Sequence, residues 1–127
     1  MELTKAEEQI MQILWEIERG FVKDIVNKFG EPKPAYNTVS TIVRILEKKK
    51  FVSYESFGKT HQYFPIVHKD DYKKNNLKKM IDGYFNKSYQ NLVSFFSNDK
   101  NLSIEDMEEI KKMMDMRIKN LKNKQDD

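Results

Sequence analysis

Asn37, Ser40, Thr41, Arg44 and Lys48 stand at i, i+3, i+4, i+7 and i+11. On a helix these positions share one face. An Asn amide can pair with adenine N6 and N7. A Thr can hydrogen-bond or set its methyl against a thymine methyl, and Arg and Lys reach guanine or phosphate. Ser and Thr are poor helix formers, so a face selected only for solubility would carry Lys and Glu instead. The pattern therefore points to reading of duplex DNA, against the blander alternative of a solvated helix face.

Groups for catalysis are sparse. The histidines are His61 and His68. Neither stands in a metal-binding spacing or beside a Ser nucleophile turn, and no phosphate-cradling Gly-rich loop is present. Surface or hairpin packing accounts for both. Asp70-Asp71 and Glu108-Glu109 are carboxylates adjacent in sequence. On a helix such neighbours point about 100° apart and do not converge as an acid/base pair. The chain has no cysteine, which excludes thiolate chemistry, disulfides and cysteine-ligated metal. Met107, Met113, Met114 and Met116 fit gap-filling in a helical interface better than soft-metal binding. No enzyme activity, cofactor or metal is expected.

The 127 residues carry 23 Lys+Arg against 20 Asp+Glu, a net charge of +3. Such a balance does not by itself indicate nucleic acid. The local distribution says more: Lys33, Arg44, Lys48, Lys49, Lys50 and Lys59 face only Glu31, Glu47 and Glu55 between residues 31 and 60, a candidate basic patch. No apolar run approaches the roughly 18 residues of a membrane span. Residues 1–20 begin acidic and amphipathic, unlike a secretion signal. A soluble cytoplasmic protein without membrane insertion is expected.

The elements that must position the polar face follow from periodicity. Thr4 and Glu7 fit a capping box. Ile10, Ile13, Leu14 and Ile17 continue a first helix to about Glu18, with Gly20 ending it. Val22, Ile25, Val26 and Phe29 mark a short second helix closed by Gly30. Pro34 suits the first turn of a third, over residues 34–49, with Val39, Ile42, Val43 and Leu46 as its apolar side. The period then drops to two. Gly58-Lys59 predicts a two-residue type II′ turn that sets Tyr54 opposite Tyr63 and Val52 opposite Pro65. Helix returns from Lys69, with stripes at Leu77, Met80, Ile81, Tyr84 and Phe85, then at Tyr89, Leu92, Val93 and Phe96. Ser103 and Asp106 start a last helix, whose Met107, Ile110, Met114 and Leu121 step as in a heptad. The polar tail after Leu121 is expected to fray. Trp15 reads as core or interface packing.

The fold class expected is mainly α: a winged helix-turn-helix of three helices and a β-hairpin over residues 1–67, then an α-helical dimerisation domain over residues 68–127. In helix-turn-helix proteins the second helix of the motif enters the major groove, which here is the third helix. The hairpin tip at Lys59 would touch phosphate or minor groove.

Several segments also resemble the penicillinase repressor (BlaI/MecI) family. They are Leu3-Thr4-Lys5-Ala6-Glu7, Ile13-Leu14-Trp15, Tyr36-Asn37-Thr38-Val39-Ser40-Thr41, Arg44-Ile45-Leu46-Glu47-Lys48-Lys49 and Tyr63-Phe64-Pro65. The resemblance implies a homodimeric repressor of palindromic operators with TACA/TGTA half-sites. It places DNA contacts at Asn37, Thr38 and Thr41, with Tyr36, Ser40 and Arg44 around them and Lys59 at the wing tip. Lys48 joins them from its position on the polar face. For the β-lactam branch it implies antibiotic-resistance control through a membrane sensor-transducer that triggers cleavage of the repressor. Three departures stand out. Lys50 replaces the usual Gly after the lysine pair, the copper branch's cysteine cluster is missing, and Phe95-Phe96 aligns with the usual Asn-Phe scissile bond. Dimerisation is expected through Leu77, Ile81, Phe85, Leu92, Phe96, Met107, Ile110, Met114 and Leu121. The alternative is a winged helix that binds another protein and not DNA. Such a module should carry exposed aliphatic or aromatic residues on its third helix.

Overall fold

The computed structural model describes residues 2–125. Its elements run α1 (Lys5–Ile17), α2 (Val22–Lys28), α3 (Tyr36–Lys48), β1 (Val52–Phe57), β2 (Thr60–Pro65), α4 (Lys69–Tyr84), α5 (Tyr89–Ser97) and α6 (Ile104–Gln125). Three helices, an antiparallel hairpin and three more helices reproduce the expected order. The chain divides into two compact units, Met1–Asn75 and Asn76–Asp127.

In the first unit, α1 opens as its sequence dictates. The Thr4 hydroxyl accepts from the Glu7 amide at 3.2 Å, and the Glu7 carboxylate accepts from the Thr4 amide at 2.9 Å. Ile10, Met11 and Leu14 of α1 meet Ile25 of α2 and Val39, Val43 and Leu46 of α3 in the core, with Phe51, Val52, Tyr63 and Tyr72 completing it. Met11 is fully buried although the helical stripe read from sequence passed over it. Trp15 packs as expected: its indole donates to the Val67 carbonyl at 2.9 Å, and its ring lies 5.5 Å from that of Tyr72. The first turns of α4 thus belong to the first unit.

The hairpin register matches expectation, with Tyr54 opposite Tyr63 and Val52 opposite Pro65. Gly58 takes φ 64° and Lys59 does not take a positive φ, as a type II′ turn needs.

Four local expectations are corrected. Gly20 is not the left-handed helix cap; Glu18 holds that kind of φ, at 70°. Gly20 instead exchanges two backbone hydrogen bonds with Tyr63, at 2.9 and 2.8 Å, adding a rung beside β2. Gly30 does not close α2, because the extended Phe29 ends it first. Pro34 lies ahead of α3 and not within its first turn, since Ala35 keeps an extended ψ of 147° and caps the helix. The tail after Leu121 stays helical to Gln125. Lys and Gln are good helix formers, and Lys122 and Lys124 complement the negative helix end. Residues 126 and 127 of that tail lie outside the described residues.

In the second unit, Ser88 caps α5 through a 3.1 Å bond from the Asn91 amide. Ser103 and Asp106 cap α6 reciprocally, as expected. Ile81 is buried, whereas α5 and α6 bury none of their described residues.

The C-terminus of α3 fixes that helix in place. The Phe51 amide donates to the Leu46 carbonyl and the Lys50 amide to the Glu47 carbonyl, both at 3.0 Å. This is a Schellman ending, and Phe51 and Leu46 supply its apolar contact in the core. Lys50 occupies the left-handed position, with φ 65°. Next to it, the Lys49 ammonium lies 2.8 Å from each Glu7 carboxylate oxygen. Only Oε1 accepts a well-aligned hydrogen bond from it. Burial pushes the Glu7 carboxyl up, but Lys49 and the Thr4 amide and hydroxyl outweigh it and hold the group below its usual value.

Two outcomes follow from this corner. A left-handed L-residue costs about 1–2 kcal/mol, against about 0.5–1 kcal/mol of extra chain entropy for Gly. Lys50→Gly should therefore stabilise the protein by about 0.5–1 kcal/mol, read as a higher urea midpoint at unchanged slope. A lower midpoint would assign Lys50 a stabilising contact that the helix ending does not require. The Glu7 pair contributes stability that is complete above the unfolded carboxylate value of 4.5 and is lost as pH falls through the lower folded value. Melting temperature measured from about pH 6 to about pH 3 should fall less steeply for Glu7→Gln than for the parent. Equal slopes would place the acid sensitivity elsewhere.

Candidate nucleic-acid interface

The burial that fixes α3 decides which of its side chains face outward. Val39, Val43 and Leu46 are fully buried, so Asn37, Thr38, Thr41, Arg44 and Lys48 are exposed. Ser40 is half-buried and Tyr36 exposed. Ile45 is the exposed aliphatic residue of this helix, set among short polar groups and cations.

Within this face two side chains are pre-engaged. The Thr41 hydroxyl donates to the Asn37 carbonyl at 2.9 Å, which spends its proton and leaves its oxygen free to accept. The Arg44 guanidinium donates to the Ser40 carbonyl at 3.3 Å and to the Ser40 hydroxyl at 3.2 Å. These exposed bonds run to neutral acceptors, so the Arg44 guanidinium gains by exchanging them for a charged acceptor such as a phosphate.

The hairpin stands beside the helix. Lys59 is exposed at its tip, and the Thr60 hydroxyl donates to the Phe57 carbonyl at 2.8 Å. His61 lies flat on Tyr54, with ring centres 3.9 Å apart and planes 7° from parallel. Between α2, α3 and β2 runs an open groove of about 410 Å³. Tyr36, Ser40 and Arg44 reach into it from α3, Lys23 from α2, and Lys59 and His61 from the hairpin. Tyr63 forms part of its floor. Burial pushes that phenol's pKa up, so it stays neutral.

The structure thus brings Tyr36, Ser40, Arg44 and Lys59 together around one groove. Asn37, Thr38, Thr41 and Lys48 lie on the same helix outside the groove lining. Lys23 was missed by sequence reasoning, and His61 was read only as packing. Both stand outside the helical repeat of α3, and only tertiary packing relates them to it.

Several cations of the first unit are paired away from this side. Arg19 lies 3.4 Å from Glu55, Lys28 3.6 Å from Glu16, and Lys49 2.8 Å from Glu7. Among the described residues Lys23, Arg44, Lys48 and Lys59 make no ion pair. No group of residues suited to holding a metal ion occurs among the described residues. Nor is any helix there long and apolar enough to cross a membrane.

The chain is similar to several known proteins. The methicillin resistance regulatory protein MecI of Staphylococcus aureus (strain N315) is 25% identical over 114 residues, spanning 89% of this chain and 93% of that protein. MecI of Mammaliicoccus sciuri matches to the same extent. The solution structure of the DNA binding domain of the repressor BlaI aligns with a TM-score of 0.49 at 19% identity, over 56% of this chain and 88% of its own. The CopR repressor structure aligns with a TM-score of 0.44 at 26% identity, over 54% of this chain and all of its own. The family described as penicillinase repressor matches residues 3–116. With nearly the whole chain matched and the helix order and hairpin in place, the protein belongs to the penicillinase repressor family.

Proposed function

We propose that this protein is a cytoplasmic transcriptional repressor that binds a palindromic operator as a homodimer. The observation that carries the reading is α3, which buries its apolar side and exposes Asn37, Thr38, Thr41, Arg44 and Lys48 along the other. Family membership and the regulatory role in the MecI name support it. Asn37, Thr38 and Thr41 contact base edges, and Tyr36 and Ser40 flank them. Arg44, Lys48 and Lys59 meet phosphates. No catalysis is part of this function.

The experiment is a titration of operator variants by the full chain. Asn37→Ala and Thr41→Ala should each relax discrimination at particular base pairs by about 1–3 kcal/mol. Lys59→Ala should weaken all sequences about equally. Unchanged operator titrations for both α3 variants would remove the reading role from this helix. An exposed α3 that binds another protein and ignores DNA is then the surviving alternative.

The homodimer reading rests on the second unit. Leu77, Met107, Ile110, Met114 and Leu121 are exposed on the single chain, and Phe85, Leu92 and Phe96 only half-buried. Stripes this apolar mark an interaction surface. Ile81 is already buried within the chain. We assign residues 1–67 to DNA binding and residues 68–127 to dimerisation, with Tyr72 packed into the first core.

Release by proteolysis fits the same arrangement, in resistance control through a membrane sensor-transducer. Phe95 and Phe96 lie inside α5, so cleavage there requires local unwinding. A cut anywhere in residues 89–96 detaches α6 from the rest of the chain. A chain ending at residue 75, which keeps Tyr72, removes α6 together with the rest of the second unit. It should sediment as a monomer and bind operator about 100-fold more weakly, having lost the effective concentration of a second half-site. A dimer in that truncated chain would sink the assignment. Intact protein by mass throughout derepression with a β-lactam would sink the proteolytic step alone.

A further inference from the structure

We propose that the groove between α2, α3 and β2 seats one backbone phosphate of duplex DNA, with Lys23 of α2 as a contact outside the reading helix. The inference rests on the DNA-binding reading and extends it to a second helix. Lys23, Arg44 and Lys59 approach the groove from α2, α3 and the hairpin turn, and no carboxylate lines it. None of the three has an ion-pair partner among the described residues, while the neighbouring Lys28 is held 3.6 Å from Glu16. Three like charges around one groove with no carboxylate in its lining repel one another, and an anion between them relieves that repulsion.

The floor strengthens the case. Val22 and Tyr63 are buried beneath the cations, and charges beside a low-dielectric floor act more strongly on an anion than charges held out in water. The neutral Tyr63 adds no opposing charge. Ser40 and His61 supply hydrogen-bonding groups in the same lining. The Arg44 guanidinium, held by Ser40 in the free protein, can turn to a phosphate oxygen without leaving the groove.

Geometry selects a phosphate of the duplex over a free anion. The groove is open, and it shares Tyr36, Ser40 and Arg44 with the polar side of α3. A helix in the major groove with a hairpin on the flanking backbone must pass a sugar–phosphate strand between them. The space between α3 and the hairpin is this groove. Lys23 marks its far wall.

The test uses the full chain and two duplexes, an operator and a random sequence, over a salt series. Lys23 is exposed, so Lys23→Ala should melt as the parent does. It should weaken both duplexes by the same several-fold factor and reduce the slope of log affinity against log salt by about 1. Lys28→Ala, on the same helix but paired with Glu16, should change neither. If the parent binds DNA and Lys23→Ala leaves affinity and slope untouched, the phosphate seat is wrong while the repressor reading stands. If the parent binds neither duplex, both fail together. Saturable, Lys23-dependent binding of inorganic phosphate that does not compete with DNA would assign the groove to a free anion and overturn the proposal.

Discussion

What the molecule can offer a partner is set by the burial of one side of α3. Val39, Val43 and Leu46 are buried to within about one percent, and each contributes about 1.5–3 kcal/mol relative to exposure. Turning the helix by one residue would exchange these for Ser40, Arg44 and Glu47, which have no place in an apolar core. The polar side is therefore obliged to face outward. Sliding is blocked as well. The Schellman ending ties α3 to Phe51, and the Glu7–Lys49 pair ties it to the first turn of α1. The same capping box that starts α1 thus helps to stop α3. Gly20, bonded twice to Tyr63, holds β2 beside the α1–α2 corner. The hairpin consequently stands at a fixed place next to the polar face.

Much of this was legible in the sequence, because local rules and the global fold agree here. Thr4 and Glu7, the α3 stripe, and Gly58-Lys59 each announce one structure, and the register of the hairpin follows from its turn. The misreadings fall where a residue has two uses. A Gly after a helix suggests a left-handed cap, yet Gly20 serves a backbone rung and Glu18 takes the positive φ. Pro34 fits a first helical turn or an extended lead-in equally well, and Ala35 decides between them. Met11 escaped because the buried stripe of α1 is Glu7, Ile10, Met11 and Leu14, and its first member is a charged residue that an apolar pattern does not count. The polar face of α3 was readable because a helix writes its faces at fixed spacing. The groove was not, since Lys23 and His61 meet it only through packing of separate elements.

The electrostatics show why a net charge of +3 conceals a cationic side. Arg19, Lys28 and Lys49 are each matched with a carboxylate. The exposed Arg19–Glu55 and Lys28–Glu16 pairs contribute little stability, unlike the partly buried Glu7–Lys49 pair, but all three cancel the field locally. Lys23, Arg44, Lys48 and Lys59 are left uncancelled. Other cations, Lys5, Lys33 and Lys50 among them, are unpaired too; what marks this side is that Lys23, Arg44 and Lys59 line one groove with no carboxylate in its lining. Salt screens that field within about 8–10 Å under ordinary conditions, so its reach matches contact with a polyanion more than long-range steering.

The second unit obeys a different constraint. Its longest helix, α6, runs from Ile104 to Gln125 without burying a single described residue. Helices hold together in proteins mainly through packing of an apolar side, and intrinsic propensity alone leaves them marginal in water. The Met-rich and aliphatic stripe of α6 supplies the side, and a single chain does not cover it. Under the homodimer reading, association and the ordering of α6 are one event. Any cut that frees α6 from the chain then removes both the apolar contact and the covalent link that concentrates it. A monomer keeps the first unit's core, which contains α3, the hairpin and Tyr72 and draws nothing from α6. Its reading face survives intact, and what it loses is the second copy of that face. Control of this kind acts on the number of half-sites held at once, and leaves the chemistry of each contact unchanged.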